Sequence, residues 1–135
     1  TMTSTTGDHV VTHIRTQNKA RDFLDTFEFF VDSGHIGPGD YFVLDNYRIH
    51  WARANFERIM QICDENRINF RFLPSYSPEL NPVELVFSIV KRIVRKTRKN
   101  NTPLFDEICN AFNEISREQV VSFYRKCITH CFRCF

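Results

Sequence analysis

At 135 residues, 42% hydrophobic and 14% aromatic, the chain carries enough apolar content for one folded domain with a real core, which excludes the disordered class. A formal net charge of +2 is too near neutral to imply a nucleic-acid partner by itself, so such a partner has to be argued from where the charges sit. No apolar run reaches membrane-spanning length, the polar opening TMTSTTGDHV is unlike a signal peptide, and five irregularly spaced cysteines fit reduced thiols better than a disulfide framework; a soluble, intracellular protein with no membrane partner is the expectation.

In chain order, HVVTHI from His9 to Ile14 is rich in β-branched residues and predicts a strand. Ala20, Phe23, Leu24, Phe27 and Val31 recur at helical spacing with Arg21, Asp22, Asp25 and Glu28 between them, which predicts an amphipathic helix. Gly34, Gly37, Pro38 and Gly39 break it. Tyr41 to Leu44 is a continuous apolar strand, as expected if both faces are covered. Ala52, Phe56, Ile59, Met60 and Cys63 mark a second helix, and Asn69 to Leu73 a further strand ended by Pro74. In SYSPELNPVEL the prolines forbid regular structure until Pro82, which suits the first position of a helix with Asn81 as its N-cap. Val83, Phe87, Val90 and Val94 continue that helix. Two more follow, one carrying Leu104, Ile108, Ala111, Phe112 and Ile115, the other Val120, Val121, Tyr124, Cys127 and Ile128. There is no repeat or low-complexity linker, so residues 1–135 read as a single domain, with a motif-bearing part over 9–99 and C-terminal helices over 100–135.

Strand, helix, strand, helix is a βαβ arrangement with parallel strands. Asp45 then falls at the carboxyl end of the Tyr41–Leu44 strand, and the loop leaving the next strand leads to Glu84. Both carboxylates are expected at one edge of the sheet, where open α/β sheets place their ligand sites. Two acids meeting there repel unless a cation holds them, and a hard divalent ion with oxygen ligands is the usual solution.

LDNYRIH (Leu44 to His50), followed by LPSYSPELNPVE (Leu73 to Glu84) and a basic helix, resembles the catalytic domain of mariner-like DDE transposases and their bacterial relatives. The second motif is long and specific. The resemblance implies an α/β, ribonuclease-H-like fold with a helical C-terminal end, in which Asp45 matches the second catalytic acid and Glu84 the third. It also implies two Mg2+ (or Mn2+) ions and a phosphoryl displacement that cuts and joins DNA strands during transposition and DNA integration. Asn46, His50 and Asn81 fall near that site. The implied partners are transposon-end and target DNA, with a homodimer open as an assembly; a eukaryotic source would put the protein in the nucleus. In such enzymes the first acid lies on an earlier strand, so the fold is expected to be incomplete at its N-terminus. Asp8 is the only acid upstream of the His9–Ile14 strand. A fragment of doubtful activity alone is one reading, and a non-catalytic DNA-binding or interaction module derived from a transposase is the alternative.

Plainer roles stand beside each of these. Asp45 can close its strand through a turn, and Glu84 can return to the Asn81 backbone in a variant capping box. His50 can cap a helix or pack under a loop, and Tyr76 reads as scaffolding that aims Glu84, with contact to DNA as its secondary role. Lys91, Arg92, Arg95, Lys96, Arg98 and Lys99, with no acid between Leu85 and Phe105, form a positive helix side suited to DNA phosphates, or simply a solvated face. Cys127, Cys131 and Cys134 with His130 lack the spacing of a recognised zinc module, and Cys127 already fits a core position.

Overall fold

The structure, a computed structural model, describes residues 2–10, 20–45, 53–98 and 102–133. Among them it is a mixed fold, mostly helical, with one small parallel sheet and a short hairpin: β1 (Met2–Thr3), β2 (His9–Val10), α1 (Ala20–Asp32), β3 (Tyr41–Leu44), α2 (Arg53–Glu65), β4 (Asn69–Phe72), a 3-10 turn (Pro78–Leu80), α3 (Pro82–Thr97), α4 (Leu104–Asn113) and α5 (Arg117–Arg133). The chain divides into two compact units, residues 12–76 and residues 1–11 with 77–135. No described helix is long and apolar enough to cross a membrane.

In the unit 12–76, β3 and β4 pair in parallel, with Tyr41 opposite Asn69, Phe42 opposite Phe70, Val43 opposite Arg71 and Leu44 opposite Phe72. The amide of Leu73 extends the ladder to the Leu44 carbonyl at 2.7 Å. The expected βαβ connection is therefore present, with α2 between the strands. A phenylalanine cluster fills the core: Phe42 lies 4.7 Å from Phe27 and 6.0 Å from Phe70, ring centre to ring centre, while Phe70 and Phe72 meet edge-on at 4.9 Å. Fully burying such a ring stabilises by about 1.5–3 kcal/mol, which makes these contacts the main support of a sheet only two strands wide.

The strand departs from expectation on its other face. Phe42 is buried, but Tyr41 and Val43 are 66% and 48% exposed, so β3 alternates and only one face is covered. The sequence hid this because both outward residues are themselves strand-forming and apolar. The helical faces are also wider than the spacing indicated: Phe30 on α1 and Ile62 on α2 are buried as well.

Both helices end by the same device. Gly34 takes φ +71° after α1, and the amides of Gly34 and His35 return to the carbonyls of Val31 and Phe30 at 3.0 and 2.9 Å. This is a Schellman cap, and glycine suits its left-handed residue. After α2 that position is held by Arg67 at φ +56°, with the Ile68 amide reaching the Cys63 carbonyl at 2.8 Å. A side chain there costs roughly 1 kcal/mol relative to glycine.

In the second unit, Val86, Val90 and Val94 form a stripe down α3 that packs with Ala111, Phe112, Ile115 and Val120. This aliphatic core makes α4 and α5 integral to the unit. The β1–β2 hairpin, of which the His9–Ile14 strand contributes His9 and Val10 among the described residues, is antiparallel. Gly7 closes its turn at φ +93°, and a Cβ there would lie 2.6 Å from the Arg117 carbonyl oxygen, so only glycine fits. The Tyr124 hydroxyl donates to the Thr3 carbonyl at 2.8 Å and tethers the hairpin to α5; burial pushes that phenol above its ordinary range.

Candidate metal and nucleic-acid site

Asp45 follows directly on Leu44 and stands half-buried at the carboxyl end of β3, with its Oδ1 withdrawn from solvent. Parallel pairing with β4 puts the Leu73 exit at the same edge. This is the position from which an open parallel sheet presents a carboxylate to a ligand.

Glu84 belongs to the second unit, in the first turn of α3. Its placement follows from short-range chemistry. Pro82 pre-sets the backbone at the first helical position, where a missing N–H costs nothing. Asn81 is the N-cap: its Oδ1 accepts from the Val83 amide at 3.2 Å, and its carbonyl accepts from the Glu84 amide at 3.1 Å. The variant capping box is not made, because the Asn81 amide is already taken by the Pro78 carbonyl of the 3-10 turn at 3.0 Å. Glu84 is accordingly exposed, and its carboxylate makes no hydrogen bond or ion pair among the described residues. A carboxylate on the first turn is favoured by the helix dipole, and it remains available to a cation.

Four exposed residues of α3 share a direction. Ser88, Lys91 and Arg95 lie four, seven and eleven residues beyond Glu84, which at 3.6 residues per turn stacks all four along one side of the helix, turned away from Val86 and Val90. Lys91 is about 10 Å along the axis from Glu84, at about 1.5 Å per residue. Arg92 and Lys96 flank this line, also exposed, and Arg98 is the C-cap. None of these five cations has an ion pair among the described residues. Arg95 and Lys96 gain from the dipole at the helix end, so their position has a stabilising role whatever they bind. Lys91 and Arg92 sit mid-helix and have no such role. The alignment of Glu84 with Lys91 and Arg95 was missed in the sequence, although spacings of seven and eleven from Pro82-anchored Glu84 carry it.

Asn46, His50 and Lys99 lie outside the described residues, as do Ile14, Ala52 and Cys134. Asp8 is engaged structurally: it accepts from the Thr6 hydroxyl at 2.7 Å and pairs with Arg117 at 3.3 Å on an exposed surface. The Tyr76 side chain does not pack against the fold. Its ring is 101% exposed, because a turn at Ser75–Tyr76 holds it at φ +58° with the side chain directed away from the protein. Cys127 is buried on the core face of α5, and burial, followed by the neighbouring Cys131, pushes its thiol up. Among the described residues no three His, Cys, Asp or Glu side chains gather as metal ligands. The donor chemistry of Asp45 and Glu84 nevertheless fits a hard divalent ion, since both offer carboxylate oxygens and Glu84 is solvent-facing and unpaired.

Comparison with known proteins follows the same residues. A family model described as DDE superfamily endonuclease matches residues 1–103, from β1 through the end of α3, and so spans both Asp45 and Glu84. No curated protein matches the chain. Endonucleases of this superfamily generally use divalent metal ions and act on DNA. With its LPSYSPELNPVE stretch inside a match that covers most of its length, the chain belongs to the DDE superfamily endonucleases, as a transposase-type nuclease domain.

Proposed function

We propose that Asp45 and Glu84 are two carboxylate ligands of one divalent-metal site, Mg2+ or Mn2+, in a mariner-like, ribonuclease-H-like domain that cleaves and transfers DNA strands. The observation that carries this reading is the Asn81–Pro82 cap, which leaves Glu84 exposed and unpartnered within the matched family region. When bound, two such ions supply an activated water or 3′-hydroxyl and stabilise the leaving oxygen of an in-line displacement. The chain's own residues do the rest. Lys91 and Arg95, on the Glu84 side of α3 with Arg92 and Lys96 beside them, bind backbone phosphates without reading sequence. That holds a strand along the helix so that its phosphodiester lies at the Glu84 end. Asn81 orients the first turn, and β3 holds Asp45 by its pairing with β4.

A second reading rests on the metal-ligand count. Two acids without a third among the described residues, beside an unpaired basic helix face, also suit a module that binds DNA and does not cut it. Supercoiled-plasmid nicking in Mn2+ separates the two. Asp45→Asn is expected to abolish nicking while leaving DNA affinity within about twofold, since one carboxylate contributes little to phosphate binding. Equal nicking by the variant would overturn the enzyme reading.

A further inference from the structure

Tyr76 stands where a tyrosine does least for the fold. Turns that need a positive φ ordinarily take glycine or asparagine, yet Tyr76 holds φ +58°. The only other described non-glycine residue with positive φ is Arg67, which closes a Schellman cap on α2. Tyr76 recovers nothing by burial, for its ring is fully exposed. Strained residues of this kind gather at functional sites. The segment leaves the sheet at the edge where Asp45 stands, and Pro74 and Pro78 on either side stiffen it, so the ring is held out on a short, restrained turn.

We infer that Tyr76 is a stacking platform for an unpaired nucleobase of the DNA substrate. A phenol ring offers an apolar π-face and one hydroxyl, which suits a base and not a phosphate; the phosphates have Lys91, Arg92, Arg95 and Lys96. Bases inside a duplex are already paired and stacked, so the base taken is an unpaired one in a single-stranded overhang or a strand displaced at a nick. Those are the structures that strand cleavage and transfer create, and in this the inference rests on the proposed function. Stacking of this kind tolerates any base.

The test uses the full chain and a short duplex whose single-stranded 3′ overhang carries 2-aminopurine, with a blunt duplex of equal length as control. Binding of the overhang is expected to quench 2-aminopurine emission. Tyr76→Ala should weaken overhang binding by roughly ten- to a hundredfold and remove the quenching, with blunt-duplex affinity unchanged. Tyr76→Trp should restore both. Tyr76→Gly should lose overhang binding while melting no lower than the parent, because glycine relieves the φ; a structural role would lower the melt instead. Overhang affinity unchanged in Tyr76→Ala, with binding lost in Lys91→Glu/Arg95→Glu, overturns the stacking role and leaves the proposed function standing. Failure of the parent chain to bind either duplex overturns both.

Discussion

The two candidate acids are held by different kinds of structure. Glu84 is placed by bonds that span four residues: a cap, a proline and the first turn of a helix whose valine stripe is buried against α4 and α5. Asp45 is placed by a strand of four residues whose only described ladder partner is β4 and whose stability rests on a phenylalanine cluster on one face. A helix cap is complete within its own sequence. A strand end is only as rigid as what pairs and packs beside it, so Asp45 is the more easily loosened of the two acids.

Core truncations probe that difference most strongly. Phe27→Ala removes a ring that is fully buried and 4.7 Å from Phe42, and Phe112→Ala removes its counterpart in the aliphatic core. Each is expected to cost about 3–5 kcal/mol in urea denaturation. Amide exchange tells them apart: Phe27→Ala should speed exchange at Phe42 to Leu44, and Phe112→Ala at Val90 and Val94. If Phe27→Ala leaves β3 protected, the strand does not depend on the cluster. A smaller effect tests the cap: Asn81→Ala should lower stability by about 1 kcal/mol in the same assay, with Asn81→Ser recovering most of it. A loss under about 0.3 kcal/mol would mean that Pro82 alone fixes the helix start.

A further effect is confined to alkaline pH and leaves neutral pH untouched. Burial, aided by the adjacent Asp64 charge, pushes the Cys63 thiol from 9.0 up to about 11. Its folded pKa lies above the unfolded value, so its contribution to stability is complete below pH 9 and is lost as pH rises toward 11, where the unfolded chain ionises first. Cys63→Ala should flatten that decline, and near pH 8 iodoacetamide should label half-buried Cys131 in preference to Cys63. An unchanged alkaline slope in Cys63→Ala would assign the decline to other groups.

Much of this was legible in the sequence where the signal is local. The Tyr41–Leu44 and Asn69–Phe72 strands, the Pro82 helix start and the Asn81 cap follow from short aromatic-rich apolar runs, proline and Asx chemistry within a few residues. The open face of β3 was not legible, because Tyr41 and Val43 are as strand-forming as the buried Phe42 and only the packing of neighbouring elements decides which side is wet. The exposure of the Tyr76 ring was not legible for a related reason: aromatic residues usually pack, and the positive φ of its turn leaves no mark in composition. Glu107, a buried acid on the otherwise apolar face of α4, was missed because a carboxylate at a helical position ordinarily faces water.

The most direct measurement is a thermal melt of the full chain with and without Mn2+ at about a hundred times its dissociation constant, repeated on Asp45→Asn and Glu84→Gln. Binding to the folded state alone adds about 2.7 kcal/mol, several degrees for a chain of this size. A shared site predicts that the ion raises the melt of the parent chain and that either substitution abolishes the rise. A rise that persists in both variants, or no rise in the parent chain, would contradict a metal site built from Asp45 and Glu84.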